Sequence, residues 1–301
     1  GHAAITNVDF SELPPGVDVF TSASPGFDIS LRALSALPGY VETEQPPLAR
    51  HKVRFAGEPV AAIVAADRYL AEDAAEQLII DYEPLAPTVS AWSLPQVPVH
   101  DAAPDNVLLS RTFDAGDVDA AFAGAAVAVR RELTTNRHGG NPIEGRAGVA
   151  LWDGDRLTFW SGTQIPHLVR NLLAELLELS ESQVRVVAPD VGGGFGTKAV
   201  IYPEDLALCL IARSLPGTPV KWVEDRAEHL ASATAARDHH YELEAAFDAD
   251  GTLLAIRGEA WCNVGAYSVY PWTAGIEPLM AGGLLTGPYK LDNYRCTVRG
   301  V

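Results

Sequence analysis

Five prolines, at positions 84, 87, 95, 98 and 104, interrupt the chain within a single short stretch. Proline has no amide donor and holds φ at about −65°, so a segment this rich in it cannot run through the middle of a helix or sheet. It reads as a connector, with one domain over residues 1–88, a linker over 89–110 and a second domain over 111–301. The first part has the pattern of a small α+β unit. Val17-Asp-Val-Phe20 is a candidate strand, and His51-Lys-Val-Arg-Phe55 and Val60-Ala-Ala-Ile-Val-Ala65 flank the Gly57-Glu-Pro59 turn as two tightly joined strands. Asp67 is placed to cap a helix whose Leu70, Ala74 and Leu78 recur one turn apart, and Ile79-Ile-Asp-Tyr-Glu83 reads as the strand that follows it.

Beyond the connector, strand and helix patterns alternate. Strands are expected over residues 125–133, 147–152 and 157–160, the last two joined by the turn Asp153-Gly-Asp155. Pro166 suits the first turn of a helix with Val169, Leu172, Leu173, Leu176 and Leu177 on one apolar face. Val184-Arg-Val-Val-Ala188 reads as a buried strand. Pro203 opens another helix, with Glu204 and Asp205 where negative charge favours the dipole. Asp248-Ala-Asp-Gly251 between two apolar runs is a hairpin signal.

The chemistry-bearing pattern is Val191-Gly-Gly-Gly-Phe-Gly-Thr-Lys198, after a strand and before a helix. Consecutive glycines let backbone amides approach an anion closely. It is not a G-x-x-x-x-G-K-[ST] loop, and the third glycine of a dinucleotide fingerprint is absent. Phe195 is bulky for a phosphate cradle: it either shapes a cavity beside the loop or anchors a tight turn in the core. Gln164, in Ser161-Gly-Thr-Gln164, offers a donor and an acceptor without charge at the end of a strand, although such a residue commonly serves only as a helix entry. Glu144, within Asn141-Pro-Ile-Glu-Gly-Arg146, could fix a turn near the site, but reads most simply as the ion-pair partner of Arg146. Arg226 and Arg237 could face phosphates or make ordinary ion pairs, and Tyr270 and Trp272 could border a substrate funnel or pack a core.

Charge and composition narrow the classes. The chain has 22 Lys and Arg against 39 Asp and Glu, a formal charge of −17, which disfavours nucleic acid and anionic membranes as partners. No apolar run approaches the roughly 20 residues of a membrane span, and no basic-then-apolar leader opens the sequence. Cys209, Cys262 and Cys296 are odd in number and widely spaced, as expected of buried thiols in a reducing cytoplasm rather than disulfides or cluster ligands. His239 and His240 are adjacent and would point to opposite faces of a strand; His138, His167 and His229 lack an i+4 partner of ligand character. No metal held directly by side chains is expected, and no G-x-S-x-G elbow supports a serine nucleophile.

Taken in order, Ser161-Gly-Thr-Gln-Ile-Pro-His167, Pro189-Asp-Val-Gly-Gly-Gly-Phe-Gly-Thr-Lys198 and Val220-Lys-Trp-Val-Glu-Asp-Arg226 resemble the large subunit of molybdenum hydroxylases of the xanthine dehydrogenase/aldehyde oxidase family. Asn263-Val-Gly-Ala-Tyr267, Gly287-Pro-Tyr289 and Tyr294-Arg-Cys-Thr-Val-Arg-Gly300 continue the resemblance, and Arg54-Phe-Ala-Gly-Glu-Pro-Val-Ala-Ala62 is similar to the family's hammerhead domain. The resemblance covers essentially the whole chain. It implies an α+β fold, with a hammerhead-type α/β domain followed by the first part of a mixed α/β molybdopterin-binding domain. It also implies molybdopterin, as the cytosine dinucleotide, with molybdenum held by the pterin's dithiolene sulfurs. Gly193, Gly194, Phe195 and Gly196 would lie against the pterin and the metal's apical side, and Gln164 would contact the apical oxo group. The reaction implied is hydroxylation of an aldehyde or N-heterocycle with water as oxygen source, electrons leaving through iron–sulfur and FAD subunits in a dimer of heterotrimers.

Two departures qualify this. Ala199 stands where many members place a substrate-contacting Glu after the loop lysine, which argues against a purine such as xanthine. The family's substrate-pocket loop and glutamate general base correspond to sequence after Val301, so the general base is absent here. This piece alone is expected to be inactive, to leave an apolar face uncovered and to be poorly soluble. Other readings are an aerobic carbon monoxide dehydrogenase-like large subunit, a non-catalytic interaction module, and a dinucleotide-binding oxidoreductase. In the last, the loop would hold a pyrophosphate while Glu224 or Asp225 held a ribose.

Overall fold

The structure, a computed structural model, describes residues 1–92 and 97–301; Pro95 of the proline-rich connector lies outside the described residues. Residues 85–92 and 97–108 hold neither helix nor strand, apart from an isolated bridge between His100 and Ala103. Contacts group the chain into two units that interleave in sequence. One comprises Gly1–Arg32, Glu44–Pro87 and Gly139–Thr234, the other Ala33–Thr43, Thr88–His138 and Ala235–Val301.

In the first unit, Ala3–Asp9 is the central strand of a three-stranded sheet, antiparallel to both Lys52–Val53 and Ile79–Pro84. Ala3, Ala49, Val53 and Val60 form its buried core, with Ile5, Val8 and Ile80 packed against it. The two strands expected around the Gly57 turn do form, but they do not pair with each other: Ala61–Val64 joins Asp18–Thr21 instead. The polar groups beside the turn are committed elsewhere. The Arg54 amide donates to the Glu58 carboxylate, and the Pro59 carbonyl accepts from Ala49 N at 2.7 Å. The Asp67 cap is present, its carboxylate accepting Leu70 N at 3.0 Å, and the helix Arg68–Gln77 buries Ala74.

The same unit carries a four-stranded sheet in the order Val184–Val187, Arg156–Ser161, Ala147–Asp153, Val220–Val223. Only the first pair is parallel. Parallel neighbours need a crossover, here the helix Pro166–Leu176, which starts on its proline and buries Val169, Leu172 and Leu173. Because these two strands run in the same direction, the residues following each emerge at the same edge of the sheet. Gln164 follows one strand and the glycine run follows the other. The helix Pro203–Ser214 is buried almost all round, from Leu206 to Ala212. It packs on Ala147–Asp153, where Gly148 leaves room for Leu208 and Phe159, and Trp152 Nε1 donates to the Cys209 carbonyl at 3.0 Å.

The second unit is a five-stranded sheet in the order Leu109–Ala115, Asn293–Gly300, Leu253–Cys262, His239–Phe247, Val127–Thr135. Tyr294, Cys296 and Val298 alternate inward and pack with Ala260, and the helix Ile276–Leu284 lies against this part of the sheet. The hairpin at Asp248–Gly251 forms as expected, closed by Asp248 N to Thr252 O at 3.0 Å. His239 and His240 do point to opposite faces. His239 bonds Glu277 and Tyr241, each at 2.8 Å, whereas the His240 ring stacks on Trp92. Val127 and Leu133 on the edge strand and Met280 and Leu284 on the helix are exposed apolar side chains. All three cysteines are buried free thiols. Among the described residues no helix is long and apolar enough to cross a membrane, and no three His, Cys, Asp or Glu side chains converge as metal ligands.

Gly258 sits where its strand has no room for a side chain: a Cβ there would lie 2.1 Å from the Glu242 carbonyl oxygen of the neighbouring strand. Gly258→Ala is therefore expected to lower stability by about 2–3 kcal/mol in equilibrium urea unfolding. A variant within about 0.5 kcal/mol of the parent would contradict this strand contact.

Candidate functional site

Gln164 and the glycine run meet at the carboxyl edge of the parallel strand pair. The Gln164 amide donates to the Lys198 carbonyl at 2.8 Å, and its side-chain oxygen accepts Gly196 N at 3.2 Å. That second bond fixes the orientation of the carboxamide. With the oxygen turned to the loop, the NH₂ group is the end left to donate to something else. Gly194 leaves room for Gln164: a Cβ there would lie 2.3 Å from the Gln164 side-chain oxygen and would displace the carboxamide. The loop closes on itself through Thr197, whose amide and hydroxyl donate to the Gly194 carbonyl at 2.9 and 2.7 Å. Gly193 and Gly196 have φ of +94° and +89°. Phe195, with φ +51°, is 77% exposed and is thus not a core anchor. The amides of Gly194 and Phe195 donate to no described residue, so two consecutive N–H groups are available to a ligand.

The loop is braced from beneath by the segment 140–146. Glu144 does not pair with Arg146, as its sequence proximity had led one to expect. One of its oxygens accepts both Gly192 N at 2.8 Å and Lys198 Nζ at 2.5 Å. The Lys198 side chain is 1% exposed, that of Glu144 43%. The bonds from Lys198 and Gly192 hold the Glu144 carboxyl below the ordinary carboxylate range.

Arg146 belongs to a second, deeper cluster. Its Nε donates to Glu224 at 2.7 Å and its Nη2 to Ser232 at 2.7 Å and Glu204 at 3.2 Å, while its plane lies 3.9 Å from the Tyr202 ring. Burial acts to raise the Glu224 carboxyl, but the bonds from Arg146 and His229 outweigh it and the net shift is downward. His229 links Glu224 at 2.9 Å to the Gly140 carbonyl at 2.9 Å. Arg226 donates to the carbonyls of Pro142 and Ile143, at 2.8 and 3.1 Å, which fixes the same segment. Burial lifts the neighbouring Asp205 carboxyl to about 6. With its side chain 0% exposed, Glu224 is not available to a ribose, which removes one of the two alternative carboxylates of the dinucleotide reading. A cavity of about 10 Å³ lined by Arg146, Lys198, Tyr202 and Asp205 has room for about one water. Arg237 lies in the other unit, 3.8 Å from Glu277.

Residues 1–86 match the model of the aldehyde oxidase and xanthine dehydrogenase a/b hammerhead domain, and residues 99–301 match that of the molybdopterin cofactor-binding domain. The chain is 36% identical to the 6-hydroxypseudooxynicotine dehydrogenase complex subunit gamma of Paenarthrobacter nicotinovorans, over 100% of this chain and 39% of that protein. It is 34% identical to the carbon monoxide dehydrogenase large chain of Afipia carboxidovorans, again over 100% of this chain and 39% of that one. The crystal structure of quinoline 2-oxidoreductase from Pseudomonas putida 86 superimposes with a TM-score of 0.92 at 34% identity, over 99% of this chain and 39% of that one. The chain thus spans well under half the length of these relatives.

A carboxyl held below its unfolded value stabilises the fold above the ordinary carboxylate pKa and loses that contribution as pH falls through the folded value. The difference in melting temperature between wild type and Glu144→Gln should therefore be constant near neutrality and close below about pH 4. A difference that persists unchanged to pH 3 would show that the charge of Glu144 is not what holds Lys198.

Proposed function

The chain belongs to the family of molybdopterin-binding large subunits of aldehyde oxidases and xanthine dehydrogenases, and from that premise we propose that it forms part of the cofactor site of a molybdenum hydroxylase. The observation that carries the reading is the meeting of Gln164 with a glycine loop that offers two unbonded amides. An anionic or oxo group fits there: the Gly194 and Phe195 amides can donate to it, and a Cβ at Gly196 would meet nothing within 4 Å, which leaves that face open. Gly193, Gly194, Phe195 and Gly196 would hold the pterin side of the group, and the Gln164 NH₂ would donate to its apical oxygen. When bound, the cofactor supplies the redox chemistry and the transfer of oxygen from water. The protein's contribution in this region is to orient it and to stabilise negative charge with fixed donors.

The substrate we infer is an N-heteroaromatic compound. Quinoline 2-oxidoreductase, whose name specifies such a compound, superimposes on this chain, and Ala199 supplies no carboxylate for a purine. The similarity to carbon monoxide dehydrogenase large chains favours a second reading, carbon monoxide as the substrate. In either case the proposed assembly includes iron–sulfur and FAD subunits in a dimer of heterotrimers. We further assign the cytosine dinucleotide form of the cofactor and a cytoplasmic location, to which three buried thiols are suited. The domain limits proposed are a hammerhead domain over 1–88, a linker over 89–110 and the first part of the cofactor domain over 111–301.

Elemental and nucleotide analysis of the parent complex should give about one molybdenum per large subunit, with CMP released on hydrolysis. Bound NAD without molybdenum would exclude the reading. Gln164→Leu should lower kcat on the productive substrate, quinoline or carbon monoxide, by about 10²-fold with KM changed less than about threefold, as expected for a donor that acts mainly in the transition state. An unchanged kcat would remove Gln164 from the site.

A further inference from the structure

Glu144 lies outside the motifs that mark the loop, yet its carboxylate joins the loop's first glycine to its terminal lysine. We propose that Glu144 is a positioning residue that sets the shape of the glycine loop, and through Lys198 the place of Gln164. The proposal rests on the reading of the loop as a cofactor cradle and deepens it.

Three observations carry it. A single Glu144 oxygen accepts both Gly192 N and Lys198 Nζ, so the loop is tied at both ends to one atom of a different segment. The Lys198 ammonium is enclosed, and Glu144 is the carboxylate it meets; a cation in that position without a counter-charge would draw toward water and take the loop with it. The Lys198 carbonyl in turn accepts the Gln164 amide at 2.8 Å and the Thr163 hydroxyl at 3.3 Å, so a shift of Lys198 displaces the strand end that presents Gln164. Steric fit supports the same contact. A Cβ on Gly192 would fall 2.6 Å from the Glu144 Cβ, and one on Gly162 would lie 3.6 Å from the Glu144 carboxylate and 3.7 Å from Lys198 Nζ. Glu144 is itself held firmly, because the carbonyls of Gly140, Pro142 and Ile143 around it accept from His229 and Arg226.

The test uses the parent complex with wild-type large subunit, Glu144→Gln, Lys198→Met and the double variant. Amide exchange of residues 192–199, pterin content and the EPR spectrum of the retained cofactor are measured in each. Glu144→Gln keeps the shape of the side chain and leaves Lys198 without its counter-charge. Exchange in the loop should quicken about tenfold, pterin content should fall several-fold, and the EPR spectrum of the remaining cofactor should change. Adding Lys198→Met removes the stranded cation and should restore exchange and pterin content to within about threefold of wild type, even if Glu144→Gln alone does not fold. Wild-type exchange in Glu144→Gln, an unaltered spectrum in its cofactor-bound fraction, or a double variant as defective as the single one overturns the proposal. Absence of pterin from the wild-type complex overturns the cradle reading and the proposal together. Pterin present in wild type and undiminished in Glu144→Gln overturns the proposal alone.

Discussion

The buried guanidinium of Arg146 is the interaction on which the architecture of the site depends. It joins the end of one strand to Glu224 at the end of its neighbour, to Glu204 in the first turn of one helix, and to Ser232 in the last turn of another. Its flat face covers Tyr202, whose hydroxyl reaches into the glycine loop at the Thr197 carbonyl, 2.7 Å away. A lysine could not replace it, because a point charge lacks both the fork of donors and the planar face. Removing one member of such a buried pair costs about 3–5 kcal/mol, since the other charge is left without compensation. The outer pair of Glu144 and Lys198 is built on this base: the segment that carries Glu144 begins and ends on groups which the Arg146 and His229 cluster fixes.

The position of this support bears on how a protein with a formal charge of −17 could hold the anionic group proposed for the loop. Long-range repulsion from exposed carboxylates is screened over about 8–10 Å in physiological salt. At the proposed site, affinity would be set by fixed dipoles within hydrogen-bonding distance. The Gly194 and Phe195 amides have no acceptor among the described residues, and the nearby carboxylate is already neutralised by Lys198.

Much of the local structure could be read from the sequence because its causes are local. The helix starting at Pro166, the cap at Asp67 and the hairpin at Asp248–Gly251 depend on residues within a few positions of one another. The strands Ala3–Asp9, Leu109–Ala115 and Asn293–Gly300 were not anticipated, since each is defined by partners far away in sequence. The pairing error around Gly57 has the same origin: two suitable strands were identified, but their ladders were completed by other segments. At the site, the glycine run and Gln164 carried their own signals of composition and order. Glu144 carried a misleading one, because Arg146 lies two residues away and the true partner 54. Phe195 could be read as facing in or out, and its 77% exposure in the folded loop decides between the two.

The interleaving of the two units affects how the chain emerges from the ribosome. Leu109–Ala115 lies at the sheet edge, and its neighbour there is Asn293–Gly300; the facing residues Thr112 and Thr297 are 185 positions apart. At translation rates of roughly 5–20 residues per second, the earlier strand waits on the order of ten to forty seconds for its only ladder. During that interval the segment 139–234, which belongs to the other unit, is made while Leu109–Ala115 still has an unpaired edge. The order of synthesis therefore leaves this edge strand without its ladder until the last strand of the sheet has been made, whatever the stability of the finished sheet.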